Sequence, residues 1–302
     1  MHTQRPAALK DAVGRFGIFS QELRSEAPAL QGELLDAAAE LEELGFGAIW
    51  LGGSSGVHHA AHLAEATDRV VLATGILNIW YEAADTVAEQ RAELEHAHPD
   101  RFVLGLGASH AQLAKHYQRP YATMVEYLDA LDSATTPVPA QSRILAALGP
   151  RMLRLARDRA VGAHPYLVTP EYIEQARHIL GDASLLAPEV TVVLESEPRS
   201  ARETARRFLD YYLQLPNYAA NLKRLGFTDD DLTGGGSDFL VDALVVWGTD
   251  DAISARLAQF HTAGADHLAL QLITEEQTEA PPRAQWRRLA DLTARSKAQP
   301  GI

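Results

Sequence analysis

The sequence predicts an α/β protein, a (β/α)8 TIM barrel with a helical insertion near the C-terminal end. Continuous apolar runs, typical of buried parallel strands, alternate about eight times with segments of helical periodicity. The chain has 302 residues, which suits one large barrel, so we expect a single domain over residues 1–302. A doubly wound open sheet is the main alternative.

Each predicted strand is followed by a helix. The strands are predicted, in chain order, at 15–19, 48–51, 70–76, 101–106, 143–147, 163–168, 190–194 and 267–273. The helices are predicted at 33–44, 58–69, 85–96, 121–133, 151–159, 170–180, 200–213, 250–263 and 283–294, and Leu34, Ala38 and Leu41 show the expected spacing. The segment 215–242 is too long for a barrel loop, so we predict that it is the insertion. A short strand-like piece follows at 243–247.

Composition limits the function classes. The formal net charge is -13, which argues against nucleic acid as a partner, because nucleic-acid binding needs a basic face. No run approaches the roughly 20 apolar residues of a membrane span, and the N-terminus lacks an apolar signal core. The chain has no cysteine and no nucleophile-elbow motif, so covalent hydrolase chemistry has no support. We therefore expect a cytoplasmic protein that acts on a small molecule.

Small residues stand where four of the predicted strands finish. They are Gly53-Ser54, Thr74-Gly75, Gly107-Ala108-Ser109 and Leu148-Gly149-Pro150. In a barrel the active site lies at these carboxyl ends, and small residues let a flat ligand lie against the backbone. Asn78, a polar residue between apolar neighbours, lies just beyond the third strand. Glycine also occurs in ordinary turns, but four such ends together indicate a binding surface.

The segment Gly149-Pro150-Arg151-Met152 opens a helix directly after the fifth strand. Proline at the first helical position loses no hydrogen bond, while the free amides and the helix dipole favour an anion. Arg151 and Arg154 add positive charge. These features predict a phosphate site, although an ordinary helix that starts with proline fits the same residues. The segment Gly105–His110 lacks the third glycine of a dinucleotide fingerprint, so a nicotinamide cofactor is not expected.

Histidines supply the candidate acid–base groups, because an imidazole titrates near neutral pH. His110 follows the glycine-rich end of the fourth strand, and His58 and His59 lie near the lip of the second. These three are the candidate catalytic residues, and a hydrogen-bonded structural role is the alternative for each. His164 lies near the end of the sixth strand. His58 and His62 share a helix face, but no further ligand accompanies them at a known spacing, so no metal site is predicted.

Five segments of the chain are more specific than these general patterns. They are Ala73–Trp80, Gly105–His110, Leu145–Leu153, Gly162–Tyr166 and Leu215–Tyr218. In this order they resemble the luciferase-like monooxygenase superfamily, in its branch of oxidoreductases dependent on coenzyme F420, an 8-hydroxy-5-deazaflavin. The resemblance covers nearly the whole chain and is to a mycobacterial-type subgroup.

The resemblance implies a (β/α)8 barrel, usually dimeric, that transfers a hydride between the deazaflavin and a small organic substrate. The cofactor would lie across the strand ends, with its phosphate at the amides of Gly149, Arg151 and Met152. A non-prolyl cis peptide at Gly75-Ile76 would back the ring. The full set of candidate cofactor-binding residues is Ser54, Thr74, Gly75, Ile76, Asn78, Gly107, Ala108, Ser109, Leu148, Gly149, Pro150, Arg151, Met152 and His164.

One position departs from the family pattern. Several relatives place an acidic residue or a histidine directly after the second strand, where this chain has Gly52-Gly53-Ser54. The proton donor and the substrate are therefore unassigned by the resemblance. Two other functions stay open: an FMN-dependent luciferase-like monooxygenase, and a non-catalytic deazaflavin-binding protein.

Overall fold

The computed structural model describes residues 4–110, 117–275 and 279–298, in which parallel strands alternate with helices. The strands are β1 (Phe16–Ser20), β2 (Ala48–Gly52), β3 (Val71–Gly75), β4 (Leu77–Asn78), β5 (Phe102–Gly107), β6 (Arg143–Leu145), β7 (Gly162–Ala163), β8 (Leu185–Leu186), β9 (Glu189–Val193), β10 (Val245–Trp247) and β11 (Leu268–Leu272). The α-helices are α1 (Gln4–Val13), α2 (Gln31–Glu43), α3 (Val57–Ala64), α4 (Ala84–Ala97), α5 (Pro120–Ser133), α6 (Pro150–Arg159), α7 (Pro170–Leu180), α8 (Pro198–Leu213), α9 (Pro216–Arg224), α10 (Asp238–Leu244), α11 (Asp250–Thr262) and α12 (Arg283–Ala298).

The strands form one curled parallel sheet in the order β10-β9-β11-β1-β2-β3-β5-β6-β7-β8, and β4 pairs with β5. Only Ala187 and Pro188 separate β8, at one end of this order, from β9, which pairs with β10 at the other end. The Ala187 amide donates to the Ala163 carbonyl on one side, and the Ala269 amide donates to the Pro188 carbonyl on the other. The predicted fold class, a TIM-barrel-like α/β fold, is therefore confirmed.

Burial explains why the strand sequences are apolar throughout. Side chains alternate between the two faces of a strand, and in a barrel both faces are covered. In β2, Ala48 and Trp50 belong to the cluster that fills the barrel interior. Ile49 and Leu51 belong to the cluster packed under the surrounding helices.

The structure differs from the predicted elements in a few places. Helix α1 precedes the first strand and is missing from the prediction, because its apolar residues do not gather on one face. The sixth strand is β7, much shorter than the predicted 163–168. Pro165 has no amide to donate to a strand ladder, and Leu167 has a φ of 53°. The chain therefore turns towards the strand-end face immediately after His164.

Residues 215–242 form the expected helical insertion. They contain α9, a 3-10 turn at Asp230–Leu232 and most of α10. A second apolar cluster, which includes Phe208, Tyr218 and Leu240, joins the insertion to α8. Within the described ranges, every helix is too short or too polar to cross a lipid bilayer.

Candidate functional site

A cavity of about 740 Å³ lies at the carboxyl ends of the strands, and we call it the strand-end cavity. Ligand sites span roughly 300–1,000 Å³, so the cavity can hold a cofactor-sized molecule. The βα connections after β2, β3, β5, β6 and β7 bring most of the predicted site residues to its wall. These are Ser54, Gly75, Ile76, Gly107, Ala108, Ser109, His110, Leu148, Gly149, Arg151, Met152 and His164.

One wall of the cavity is built from Gly75, Ile76 and Gly107, and we call it the flat wall. The peptide bond between Gly75 and Ile76 is cis, as the resemblance implies. Ile76 packs so closely on Gly107 that a Cβ at position 107 would lie 2.6 Å from Ile76 Cδ1. A larger residue at position 107 would therefore clash with Ile76 in its present position. Ile76 and Gly107 lie in contact and form one continuous surface.

The opposite end of the cavity carries positive charge. The Arg151 guanidinium lies over the Tyr121 ring, 3.7 Å from its centroid, and Arg224 of α9 lines the same cavity. A Cβ at Gly149 would meet nothing within 4 Å, so the protein itself does not require glycine there. The Met152 amide donates to the Gly149 carbonyl at 3.0 Å. The remaining amides and the two arginines suit an anionic group.

His164 places a hydrogen-bond acceptor in the cavity wall. Its Nδ1 donates to the Ala187 carbonyl at 2.6 Å, and its ring stacks on Trp50 with centroids 4.3 Å apart. Burial lowers the pKa of His164 to about 4, so the ring is neutral at pH 7. The lone pair is then on Nε2, which is buried and has no partner among the described residues. This atom lies 3.5 Å from where a Cβ of Gly75 would be, so it faces the flat wall.

His110 contacts the insertion. Its Nδ1 lies 3.5 Å from Nδ2 of Asn217, and its ring centroid is 5.0 Å from that of Tyr218. Burial lowers the pKa of His110, so its imidazole is neutral at pH 7. Leu215, Asn217 and Tyr218 line the cavity, which means that the start of α9 covers His110.

An aromatic wall was missed by the sequence analysis. Seven of the nine tyrosines in the chain line the strand-end cavity: Tyr81, Tyr117, Tyr121, Tyr166, Tyr211, Tyr212 and Tyr218. Burial raises the pKa of Tyr166 and Tyr218, so both stay neutral, and the Tyr166 hydroxyl donates to Gln271 Oε1 at 2.7 Å. The three tyrosines between 211 and 218, beside the predicted insertion, were the available signal.

Three predicted cofactor-binding residues do not line the cavity. The Thr74 hydroxyl accepts from the Gly105 amide and donates to the Gly105 carbonyl, both at 2.8 Å, so it ties β3 to β5. Asn78 Oδ1 accepts from the Trp80 amide at 3.1 Å and holds a turn. Pro150 is the first residue of α6 and only starts the helix.

The other two candidate catalytic histidines lie away from His110. His58 has a side chain that is 57% exposed, with Nε2 3.3 Å from Glu26 Oε1, and it lines neither cavity. His59 Nδ1 accepts from the Gly56 amide at 3.0 Å, so its proton is on Nε2, which lies 3.4 Å from Glu26 Oε1. A metal would need the lone pair of that same Nε2. Glu26, His58 and His59 therefore form a hydrogen-bonded group, although their ligand atoms lie within 4.8 Å of one another.

A second cavity of about 990 Å³ adjoins the first, and we call it the side cavity. The turn after β1, helix α8 and the end of β11 build it, and His59 lines it. Gln21, Ser54, Tyr211 and Tyr212 line both cavities. The two cavities therefore communicate at the mouth of the barrel.

A buried carboxyl lies in the barrel beneath these cavities. Glu189 accepts from the Thr191 hydroxyl at 2.6 Å and from the Leu167 amide at 3.4 Å. Burial raises its pKa to about 8, so Glu189 carries a proton at neutral pH. Its charge, when present, would disfavour ionisation of Tyr166.

Fold and site together define a TIM-barrel-like protein with a large cavity at the carboxyl ends of its strands. The family model for luciferase-like monooxygenases matches residues 15–267. The chain therefore belongs to the luciferase-like monooxygenase family. A search of curated proteins gave no match.

Solved structures with the same fold include enzymes that use different cofactors. An F420-dependent secondary alcohol dehydrogenase, in complex with an F420–acetone adduct, has a TM-score of 0.69 at 13% identity. The match covers 92% of this chain and 98% of the dehydrogenase chain. The coenzyme F420-dependent tetrahydromethanopterin reductase from Methanopyrus kandleri has a TM-score of 0.69 at 16% identity, covering 94% and 98%. A type II Baeyer–Villiger monooxygenase from Pseudomonas putida, in complex with FMN, has a TM-score of 0.67 at 13% identity, covering 94% and 98%.

Proposed function

We propose that this chain is a coenzyme F420-dependent oxidoreductase that transfers a hydride between the deazaflavin and a small organic substrate. One observation carries the proposal: a flat wall at Gly75-Ile76 and Gly107, an anion end at Arg151 and an unpaired acceptor at His164 Nε2 meet in a single cavity. The likeness to two F420-dependent enzymes supports it.

The residues present fit such a cofactor. Arg151, Arg224 and the N-terminus of α6 would hold its phosphate, and the open space beside Gly149 leaves room for that group. Gly107 and the Gly75-Ile76 bond would lie against the ring. His164 Nε2 would accept a hydrogen bond from a ring N–H. When bound, the cofactor supplies the hydride chemistry.

The remaining tasks belong to protein side chains. The aromatic wall would exclude water from the reacting atoms. His110 lines the same cavity as the proposed cofactor and is neutral at pH 7, so it can accept a proton beside the reacting atoms. We propose His110 as the acid–base residue, ahead of His59, which lines only the side cavity.

The first test is equilibrium binding of the cofactor-free protein to F420 and, separately, to FMN, followed by fluorescence quenching. We expect F420 to bind at least tenfold more tightly than FMN. The reverse preference would favour an FMN-dependent monooxygenase, a function supported by the likeness to the FMN-bound structure. Binding of neither compound would show that the strand-end cavity is not a cofactor site.

The second test concerns turnover. His110→Ala is expected to lower turnover by about 100-fold, in the range typical of general acid–base residues, with F420 affinity unchanged. Unchanged turnover would remove His110 from the acid–base role. If wild-type protein binds F420 but turns over nothing in a broad panel of hydride donors and acceptors, a non-catalytic deazaflavin-binding protein becomes the better description.

A further inference from the structure

Arg24 lies on the border between the two cavities. It ends the short 3-10 turn Glu22–Arg24 that follows β1, and it lines the side cavity. Its guanidinium lies against Gly53, where a Cβ would be 2.6 Å from Arg24 Nε and 2.8 Å from Nη2. Gly53 lines the strand-end cavity, so a cation stands directly beside the proposed cofactor site.

Arg24 has no counter-ion in the part of the chain that the structure describes. Its Nε is buried and lacks a hydrogen-bond partner there. By contrast, Arg143 pairs with Asp132 and Arg177 pairs with Asp266, each at 2.6 Å. Arg24 as a whole is half-buried, but a buried donor without a partner on a charged group is costly.

The acidic side chains around the side cavity do not form an ion pair with Arg24. Glu22 accepts from the Ser20 hydroxyl at 2.7 Å, and Glu26 is held by His58 and His59. Glu279 lines the same cavity without an ion pair to Arg24. None of these carboxylates pairs with Arg24, so its guanidinium is available to an anionic ligand.

The rest of the side cavity has a mostly polar lining that includes an apolar patch. Phe208, Leu272 and Ile273 line it, together with Arg207 of α8, whose Nη2 donates to Thr204 Oγ1 at 3.0 Å. The volume of about 990 Å³ admits a substrate considerably larger than a simple alcohol.

We propose that the side cavity binds an organic carboxylate as the substrate of this enzyme. The carboxylate pairs with the Arg24 guanidinium, and the apolar body lies against Phe208 and Leu272. Since Arg24 is on the border, the acidic end of the substrate is the end nearest the cofactor. The role as substrate rests on the proposed function, whereas the binding of carboxylates can be tested without cofactor.

The experiment is calorimetric titration of the protein with 4-phenylbutyrate and its neutral isostere 4-phenylbutyramide, with and without F420. We expect the carboxylate to bind at least tenfold more tightly than the amide, as a charge-assisted hydrogen bond provides. Arg24→Gln should remove this preference and Arg24→Lys should restore part of it, with F420 affinity unchanged in both. Arg199→Gln removes the same charge from an exposed site on α8 and should retain the full preference.

The outcomes separate the two proposals. Equal affinity for acid and amide in the wild-type protein, binding of neither, or a preference that survives in Arg24→Gln would overturn the carboxylate assignment. F420 binding could be intact in each of those cases. If the carboxylate preference depends on Arg24 but F420 does not bind, the proposed function fails and the carboxylate site stands.

Discussion

The anion end of the strand-end cavity and the neighbouring side cavity are built in different ways. The anion end rests mainly on consecutive residues, Gly149 to Arg151, which open α6 shortly after β6, and Arg224 of α9 adds a second cation. The side cavity combines Arg24 after β1, Arg207 on α8 and Leu272 at the end of β11. Residues that are consecutive in sequence are close together in any fold, whereas residues far apart in sequence come together only when the barrel forms. The two regions therefore differ in how far sequence alone could predict them.

Charge reversal at the anion end should have the largest effect. Arg151→Glu replaces a cation in the cavity with an anion, so we expect F420 affinity to fall by about 100-fold or more. Arg154→Glu changes the same charge on an exposed residue of the same helix that does not line the cavity. Fluorescence titration of both variants is the measurement. Similar losses in the two variants would mean that general charge, and not the Arg151 site, controls binding.

Alternating strands and helices were enough to predict the barrel, because a parallel sheet covered by helices buries both faces of each strand. The small residues at strand ends were also predictable, since the carboxyl ends of barrel strands meet at one face. Thr74 was also predicted to bind the cofactor, but it does not line the strand-end cavity. Both Thr74 and Gly75 end β3, and only the folded sheet shows that the threonine hydroxyl is used by Gly105.

The side cavity could not be predicted by the same reasoning. Arg24 is followed by Ser25 and Glu26 in an ordinary polar loop, and nothing local indicates that it lacks a partner. Glu189 similarly stands before a β-branched run that would suit any buried strand. That it is protonated follows from its burial inside the barrel, which depends on every other strand.

Glu189 offers a test of the barrel interior beneath both cavities. Its pKa of about 8 lies above the usual carboxyl value, so between about pH 4.5 and 8 the folded protein keeps a proton that the unfolded chain releases. This group therefore makes stability fall as pH rises through that window. Glu189→Gln removes this pH dependence. From pH 5 to pH 8.5, the free energy of unfolding of the variant should therefore rise relative to that of the wild-type protein by on the order of a few kcal/mol. Urea denaturation at both values measures it.

The matched control for this prediction is Glu43→Gln, an exposed carboxyl of α2. The free energy of unfolding of Glu43→Gln should equal that of the wild-type protein at both pH values. If Glu189→Gln also follows wild type, Glu189 is ionised in the folded protein and its burial is compensated by interactions other than the two hydrogen bonds described above.

Two glycines give a smaller effect that compares the two cavities directly. Gly53 has a φ of +72° and contacts Arg24, so Gly53→Ala should lower stability by about 1–2 kcal/mol and weaken carboxylate binding. Gly149 has an ordinary φ of -87° and an open neighbourhood, so Gly149→Ala should leave thermal stability unchanged or slightly higher. It should still weaken F420 binding about tenfold, because the methyl group occupies space that the ligand needs. Thermal melts and F420 titrations of both variants measure these effects. The prediction is contradicted if Gly149→Ala loses stability and Gly53→Ala does not.

The smallest effect is expected at His58. Its exposed imidazole contacts Glu26 and lines neither cavity, so His58→Ala should change turnover and F420 affinity by less than twofold. The same measurements on His59→Ala and His110→Ala complete the series. His110 lies among the residues proposed to face the cofactor, and His59 lies beside the proposed substrate. If His58→Ala lowers turnover as much as His110→Ala does, the acid–base group cannot be assigned by position in the strand-end cavity. The catalytic centre would then have to extend to the hydrogen-bonded group of Glu26, His58 and His59.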